Sequence, residues 1–452
     1  MTKHSIVGVF GEEEYNANLV NKSHSAVLNY AKNDKHLNYG LADALMGLYK
    51  FNLQPSEIGI DLLVFASLVY AADTRISRAS ESQDNWTREI QLVVPVSNVE
   101  RWQEAAPQLR TMLNFLTGDR WSFAFTLRPT QFLNLTKPTT PSLLGDKYNS
   151  LGLFSGGLDS LIGSINVLEE GKTPLFISHS AEGAVSSSQR NLLAQLRRHY
   201  GKQRIDALRL WMSFSNNLIP GVGAEETTRG RSFLFIALGA LVGTAFRAPI
   251  KLRIPENGFI ALNVPLDPMR LGALSTRTTH PFYLARWNDI LATLGTDVQV
   301  ENPYRHYTKG EMVKNCANMS FLESVVNTSM SCSSPTKGRW MGKGQEHCGY
   351  CLPCLVRRAA LLAGLQNEDT TRYSKDLLQK PLNALESEGK QVRSFQLAIE
   401  RLRMNPGAAR FLIYKPGPLS DVQGEIDDLK NVYVRGMSEI DKLLTNVKTI
   451  SK

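Results

Sequence analysis

The chain has 452 residues, which is more than one compact domain usually holds and predicts two or three folded units. Hydrophobic residues make up 42% of the chain and charged residues 21%, a balance that excludes disorder over most of its length. The formal net charge of +9 fits an anionic partner such as ATP or a nucleic acid, and it equally fits a solvated, mildly basic surface.

The N-terminus, the most apolar stretch and the cysteines bear on the cellular compartment. The first residues, MTKHS, do not begin an apolar secretory leader. Residues 232–246 are the most apolar stretch, but they are too few to cross a bilayer, which needs about 20, and they predict a buried helix. All five cysteines lie between Cys316 and Cys354, a clustering typical of a metal site rather than of a disulfide framework. These features predict a cytoplasmic protein without a membrane segment.

Residues 1–145 predict an N-terminal accessory domain of the α+β class. Apolar residues at helical spacing predict helices over residues 56–70 and 98–116. The segment 136–142, rich in Pro and Thr, is typical of a linker and would end this domain. The β-prone segments of the domain are 5–10, 89–96 and 121–127.

Residues 146–364 predict a second domain in which strands and helices alternate. Such alternation is typical of an α/β fold, with a parallel sheet and helices on both faces. A sheet of this kind binds ligands at the carboxyl ends of its strands. Residues 365–452 carry apolar residues at helical spacing and predict a C-terminal helical extension. The strand candidates of the second domain are 151–154, 175–178, 207–210 and 250–254, and its helix candidates are 161–168, 188–199 and 232–246.

A glycine-rich loop joins the first of these strands to the first helix. Gly156 and Gly157 allow a tight turn and a close approach of the backbone to a phosphate, and the following helix offers its free amides to an anion. Ser155 and Ser160 add hydroxyl donors, whereas the carboxylate of Asp159 suits Mg²⁺ or the ordering of the loop. A plain strand-to-helix turn is the alternative. The predicted ATP-binding residues are Ser155, Gly156, Gly157, Leu158, Asp159 and Ser160.

Four of the cysteines predict a metal site. Cys348, Cys351 and Cys354 lie on one tight knuckle, and Cys332 lies upstream of it. Four thiolates match a closed tetrahedral zinc site with a structural role. An iron–sulfur cluster and a reactive persulfide remain alternatives, because thiolates serve those chemistries as well. Cys316 is left over and predicts a buried free thiol.

The S-G-G-L-D-S loop is the signature of the PP-loop ATP pyrophosphatases, and with the later S-C-S and C-G-Y-C-L-P-C it resembles the 7-cyano-7-deazaguanine synthase (QueC) family. The resemblance covers roughly residues 150–362. Residues 229–235 are similar to the G-R-N segment of the family, which makes Arg231 a candidate substrate or catalytic residue, and residues 301–311 are similar to its P…x-K-x-E segment, which makes Lys309 another.

The resemblance implies an adenine nucleotide α-hydrolase-like fold and a ligase that uses ATP, Mg²⁺ and Zn²⁺. Its activity would be the ATP-dependent conversion of a 7-deazaguanine-type carboxylate to a nitrile through an adenylated carboxylate and ammonia. By position, residues 155–160 would hold the ATP phosphates, and the zinc ligands would be Cys332, Cys348, Cys351 and Cys354.

The sequence departs from the family where the deazaguanine is recognised, because the stretch G-x-N-x-x-D-x-x-x-x-P-D-C-R is not visible. A carboxylate that follows the strand 250–254 would instead pair with a guanine-like edge. A cluster near residue 280 would bind a phosphate or carboxylate, or transfer a proton. Alternatively, that cluster is a polar loop that caps a helix starting near Pro281. The candidate residues in these two places are Glu256, Asn257, Arg277, Thr278 and His280.

The chain is considerably longer than a minimal member of the family. Extended proteins of this kind occur in bacterial anti-phage defence operons of the Qat and CBASS types. The resemblance therefore suggests antiviral defence, with transfer of the activated deazapurine to ammonia or to a partner protein. A tRNA-modifying PP-loop enzyme is an alternative, although residues 1–145 lack the basic and aromatic clusters of an RNA-binding domain. A non-catalytic nucleotide-sensing scaffold of a defence complex is another.

Overall fold

The computed structural model describes residues 2–11, 24–33, 36–82, 84–136, 147–179, 183–225, 229–266, 277–335 and 346–451. Apart from Thr136, the predicted linker at 136–142 lies outside the described residues. The first two residues of the polar segment 275–280 also lie outside them.

Strands and helices alternate along most of the described chain. The strands are β1 (Lys3–Val9), β2 (Ser25–Asn29), β3 (Ala31–Asn33), β4 (His36–Leu37), β5 (Glu89–Val96), β6 (Arg120–Leu127), β7 (Ser150–Leu153), β8 (Pro174–His179), β9 (Asp206–Leu210), β10 (Ile250–Arg253), β11 (Val298–Glu301), β12 (Leu382–Asn383) and β13 (Thr449–Ile450). The helices are α1 (Leu41–Lys50), α2 (Glu57–Arg75), α3 (Arg78–Glu81), α4 (Val99–Thr117), α5 (Leu158–Glu169), α6 (Gly183–Tyr200), α7 (Arg231–Gly243), α8 (Gly258–Leu262), α9 (Pro281–Thr293), α10 (Lys309–Lys314), α11 (Met319–Val325), α12 (Leu352–Gly364), α13 (Ser387–Met404), α14 (Ala409–Leu412) and α15 (Ile426–Leu444).

Two parallel sheets organise the first two thirds of the chain. The central sheet has the strand order β11-β10-β7-β8-β9, and every neighbouring pair in it is parallel. Parallel neighbours require long crossover connections, and helices α5, α6 and α7 lie in those connections. The predicted parallel sheet flanked by helices is therefore confirmed for the region after residue 146.

The N-terminal sheet corrects the α+β class that the sequence predicted. Its order is β2-β1-β5-β6, and its three pairs are all parallel. The reason lies in the connections: α2 precedes β5 and α4 separates β5 from β6, and each of these helices has 19 residues. A helix of that length returns the chain to the starting edge, so the next strand runs in the same direction. The N-terminal region is thus also a parallel α/β layer.

One hydrophobic core joins the N-terminal sheet to the central sheet. Helix α2 is buried over most of its circumference, and it packs on β5 and on α7. The ring of Phe65 from α2 lies 5.7 Å from that of Phe233 of α7, which in turn stacks on Trp287 of α9 at 4.7 Å. Burial of each such side chain contributes about 1.5–3 kcal/mol. Residues on both sides of the predicted boundary near residue 145 therefore belong to the same hydrophobic core.

The predicted helical extension at 365–452 contains the long helices α13 and α15. These helices form a second core with α8 and α12, in which Val392, Phe395 and Val432 are fully buried. The extension also contributes Glu439 of α15, which accepts hydrogen bonds from the hydroxyl of Thr308 and from the amide of Gly310 at the start of α10. The extension thus supports the helix that carries Lys309.

The apolar stretch at 232–246 forms α7, which packs between the two sheets. Ten of its residues are buried, among them Phe233, Leu238 and Val242. No helix in the described ranges is both long and apolar enough to cross a bilayer.

Candidate functional site

The loop between β7 and α5 is a tight turn that closes on itself. Gly156 has φ 82°, a value that favours glycine, and a Cβ there would lie 3.0 Å from the side chain of Gln189. The amide of Gly156 donates to Ser160 Oγ at 3.1 Å, and that hydroxyl donates to the carbonyl of Gly157 at 2.9 Å. The turn lies at the carboxyl end of a central strand and at the N-terminus of α5, where ligand-binding amides are expected.

Asp159 lies at the start of α5 and is held by two groups from distant parts of the chain. Its Oδ2 accepts hydrogen bonds from Asn257 Nδ2 at 2.8 Å and from the amide of Asn257 at 3.2 Å. Its Oδ1 lies 3.1 Å from the ammonium of Lys309, and within the described residues this oxygen accepts no hydrogen bond. Both charged side chains are buried, so the pair is fixed beside the loop.

A second carboxyl, that of Glu256, shares this site with Asp159. Burial raises the pKa of Glu256 well above its usual range, and the neighbouring Asp159 carboxylate raises it further. Burial alone would also raise the pKa of Asp159, but the ammonium of Lys309 and hydrogen bonds from Glu256 and Asn257 lower it below the usual value. The two carboxyls are therefore driven apart, because Glu256 keeps its proton to a higher pH than a free glutamate and Asp159 ionises at a lower pH than a free aspartate.

A cavity of about 510 Å³, here called the charged cavity, opens beside these groups. Its size is within the range of small-molecule sites. It joins the loop to the cysteine cluster through Cys351 and to the C-terminal extension through Gln391 of α13. The residues that define it include Ser155, Gly157, Leu158, Asp159, Glu256, Lys309, Ser331, Ser333, Cys351 and Gln391.

A second cavity of about 360 Å³, here called the α7 cavity, also borders the loop. Its walls combine apolar side chains with hydroxyl groups and charged side chains. Ser155, Pro255, Glu256 and Met330 line both cavities, so the two spaces meet over the loop. The residues that define it include Leu153, Ser155, Ser160, His179, Gln189, Arg231, Phe235, Ile236, Ile254, Thr278 and Thr279.

The structure brings most of the candidate substrate residues to these cavities. Arg231 and Thr278 line the α7 cavity, Lys309 lines the charged cavity, and Glu256 lines both. Asn257 is fully buried between the cavities and α8. Its side chain caps α8, where Oδ1 accepts the amide of residue 260 at 3.0 Å, and it donates to Asp159. Asn257 therefore orients Asp159 instead of facing a ligand.

Arg277 and His280 lie apart from both cavities, against the N-terminal domain. The guanidinium of Arg277 lies 4.7 Å from the ring centroid of Phe115 in α4 and donates to the Phe115 carbonyl at 2.8 Å. His280 is the N-cap of α9, and its Nδ1 accepts the amide of Phe282 at 3.3 Å. The helix-capping alternative thus describes His280, because the side chains of Arg277 and His280 pack against α4 while Thr278 and Thr279, between them, line the α7 cavity.

His280 makes stability depend on pH. Burial lowers its pKa to about 3, with a further contribution from Arg277, whereas an unfolded histidine has a pKa of about 6.5. The unfolded chain therefore gains a proton below pH 6.5 that the folded chain does not, so stability present above pH 6.5 is lost as the pH falls towards 3. Asparagine keeps a cap acceptor and cannot titrate. Between pH 7.5 and pH 5, we expect the free energy of unfolding of His280→Asn to fall by about 2 kcal/mol less than that of the wild type, as measured by urea unfolding.

His36→Asn is the control for this measurement, because the His36 side chain is exposed. It should lose as much stability as the wild type over the same pH interval. Equal losses for His280→Asn and the wild type would show that another group causes the acid sensitivity.

Sequence reasoning missed His179, the last residue of β8. Its side chain lines the α7 cavity and is 1% exposed, and neither ring nitrogen bonds to a described group. Burial, and then the charge of Arg231, lower its pKa to about 4, so the ring is neutral at neutral pH. It offers one donor and one acceptor to a ligand. The only signal in the sequence was a polar residue at the end of a buried strand.

The four cysteines predicted to bind metal form one buried cluster. Their sulfurs all lie within 4.8 Å of one another, with 3.9 Å between Cys332 and Cys351 and between Cys348 and Cys354. Sulfurs at about 2.3 Å from a common centre in a tetrahedron would be about 3.8 Å apart. The cluster therefore fits a single tetrahedral ion such as zinc. Cys316 is buried elsewhere, where its thiol lies 3.8 Å from the carbonyl of residue 318.

The cysteine cluster is connected directly to the glycine-rich loop. The hydroxyl of Ser331, next to Cys332, accepts the amide of Leu158 at 3.3 Å, and the amide of Met330 donates to the Gly156 carbonyl at 2.9 Å. A metal ion in the cluster would hold this segment in place, and with it the loop.

Comparisons with known proteins do not identify a relative. Neither a scan against protein-family models nor a search of curated proteins produced a match to this chain. The function is therefore inferred from the loop, the two cavities and the cysteine cluster.

Proposed function

We propose that the protein binds ATP on residues 155–160 and uses it to adenylate a small carboxylate. The observation that carries this proposal is the meeting of two cavities at the glycine-rich loop, one lined by Asp159 and Lys309 and the other by Arg231 together with apolar side chains. An adenylating enzyme needs this arrangement, because the nucleoside and the acceptor acid must approach the α-phosphate from different sides.

The α7 cavity suits the nucleoside. Phe235, Ile236 and Ile254 offer apolar contacts to a planar base, and neutral His179 offers it a hydrogen bond. Arg231, at the first position of α7, carries the positive charge that a phosphate requires. The loop amides and the N-terminus of α5 add further anion-binding groups.

The charged cavity suits the carboxylate substrate. Lys309 attracts an acid, and the buried carboxyl of Glu256, whose pKa is raised, suits hydrogen bonds to a guanine-like edge. The deazapurine class of substrate is supported by the resemblance of the sequence motifs to the QueC family. In the reaction, a carboxylate oxygen attacks the α-phosphorus, the bond to the β-phosphate oxygen breaks, and pyrophosphate leaves. A nitrogen nucleophile, ammonia or a partner protein, then attacks the activated carbonyl and releases AMP.

Two metal ions fit the residues present. Asp159 Oδ1 is a buried carboxylate oxygen whose described partner is the ammonium of Lys309 at 3.1 Å, and a carboxylate oxygen beside the loop suits a ligand of Mg²⁺. Mg²⁺ bound with ATP would neutralise phosphate charge. The cysteine cluster suits zinc over an iron–sulfur core or a persulfide, because its closely spaced sulfurs leave room for one ion among them. Its connection to the loop gives zinc a structural role.

Antiviral defence in the bacterial cytoplasm is the biological setting we propose. It is supported by the length of the chain beyond the QueC-like region, and by the C-terminal extension that lines the charged cavity through Gln391. A partner protein that supplies the nitrogen nucleophile would approach this cavity.

The decisive experiment measures pyrophosphate release from ATP and Mg²⁺ by the full-length, zinc-loaded protein. We expect release with 7-carboxy-7-deazaguanine and none with 7-deazaguanine, which lacks the carboxylate that must attack ATP. Addition of ammonium then tests whether the primary amide forms, and whether a second ATP, by adenylating the amide oxygen so that it leaves as AMP, converts the amide to the nitrile. ATP binding without pyrophosphate release under all conditions would favour a nucleotide-sensing scaffold. Steeply salt-dependent tRNA binding would favour a tRNA-modifying enzyme.

A further inference from the structure

The N-terminal domain holds the segment that leads into the α7 cavity. Arg231 is the first residue of α7 and lines this cavity, and Gly230 is the N-cap. Gly230 has no side chain with which to cap the helix, and the residue at position N3, Phe233, has no carboxylate that could accept the Gly230 amide. The start of α7 therefore lacks a cap from its own sequence.

Asp73 of α2 supplies the missing acceptor from the other domain. Its Oδ2 accepts the amide of Gly230 at 2.6 Å, and its Oδ1 accepts Arg88 Nη2 at 3.0 Å. Arg88 also pairs with Asp119 at 2.6 Å, and the side chains of Asp73, Arg88 and Asp119 are all buried. Because the buried ion pairs hold the Asp73 carboxylate in place, moving it would break them, and the Asp73 carboxylate therefore fixes the position of the Gly230 amide.

Further contacts attach the preceding residues to the same domain. Glu225 accepts the amide of Arg78 at 2.7 Å, and its own amide donates to the Thr74 carbonyl at 3.0 Å. The guanidinium of Arg229 lies 4.6 Å from the ring centroid of Trp86, and it donates to the Thr117 carbonyl at 2.5 Å. The described residues before α7, Glu225 and Arg229, are thus both held by residues of the N-terminal domain.

We propose that Asp73 is a positioning residue that places Arg231 for the phosphates, so that the N-terminal domain forms part of the nucleotide site. This inference rests on the proposed ATP site. It assigns a role to a region outside the part of the chain that resembles a known family. Without the Asp73 contact, the first turn of α7 would fray and Arg231 would move from the cavity wall.

The test compares Asp73→Asn with Asp61→Asn. Asp61 is a matched control, because it is also a fully buried carboxylate of α2 and its Oδ1 lies 2.8 Å from Arg128 Nη2, but it does not touch the α7 start. We expect Asp73→Asn to raise the Kd and KM for ATP about tenfold, the scale of a lost charge-assisted hydrogen bond, with kcat at saturating ATP nearly unchanged. Hydrogen exchange over residues 229–236 should become faster in this variant and stay as in the wild type in Asp61→Asn.

Gly230→Ala tests the same contact if Asp73→Asn fails to fold. Gly230 has φ −70°, which alanine tolerates, but the added Cβ would lie 3.3 Å from Asp73 Oδ2 and push the two groups apart. Unchanged exchange in both variants, or an equal rise of KM in Asp61→Asn, would overturn the proposal. A wild-type protein that does not bind ATP would instead refute the proposed function, and the exchange data would still decide whether Asp73 holds α7.

Discussion

Asp159→Asn should lower pyrophosphate release by about 10²- to 10³-fold, the usual loss when one preorganised polar group at a reacting centre is removed. Asparagine has the shape of aspartate, and its carbonyl can still accept from Asn257. The charge that faces Lys309 is lost, and so is the oxygen proposed to bind Mg²⁺. Glu256 would then ionise more easily, because the Asp159 charge raises its pKa, and it would become the counter-ion of Lys309. The variant should therefore fold and lose activity.

Steady-state release of pyrophosphate, measured with the melting temperature of each variant, checks this result. Asp61→Asn serves again as the control, because it removes a buried carboxylate whose hydrogen-bond partners are Ser97 and Trp102, and it should keep most of the activity. Activity of Asp159→Asn within a few-fold of the wild type would remove Asp159 from the proposed site.

Cys354→Ala should abolish binding of the metal ion and strongly destabilise the region around α12. Structural zinc contributes about 10–16 kcal/mol of binding free energy in small zinc domains, and three thiolates do not complete a closed tetrahedral site. Cys354 is fully buried in α12, whose Arg357 donates to the Ser329 hydroxyl at 2.7 Å just before the segment that contacts the loop. We expect the melting temperature to fall by roughly 10 °C, which corresponds to several kcal/mol in a domain of this size.

Elemental analysis of the purified protein, together with thermal melting, tests the metal site. Cys316→Ala is the matched control, because Cys316 is also a buried cysteine but lies outside the cluster. It should retain one equivalent of zinc. If the wild type contains iron and sulfide, the site holds an iron–sulfur cluster and not zinc. A full equivalent of zinc in Cys354→Ala would contradict the four-cysteine site.

The local features of the site were predictable from the sequence. The loop at 155–160 and the cysteine knuckle are short segments in which turn chemistry and residue spacing determine the geometry. Alternating strand and helix patterns likewise predicted the central parallel sheet, because each pattern reflects which side of an element is buried.

The features that connect distant segments were decided only by the tertiary structure. The sequence predicted that α2 and α7 are apolar but not that they pack on each other, because an apolar surface does not specify its partner. For the same reason, the contact of Asp73 with Gly230 and the place of His179 in the α7 cavity could not be foreseen.

The strand direction of the N-terminal sheet and the packing of Arg277 and His280 against α4 have the same physical origin. The four parallel strands of the N-terminal sheet follow from how the connecting helices return the chain, and α4 then lies against the segment that precedes α9. The sequence by itself determined the glycine-rich turn, the four-cysteine cluster and the central α/β pattern, since these depend on neighbours in the chain. The tertiary structure decided which buried groups meet around the two cavities, since that depends on how whole elements pack.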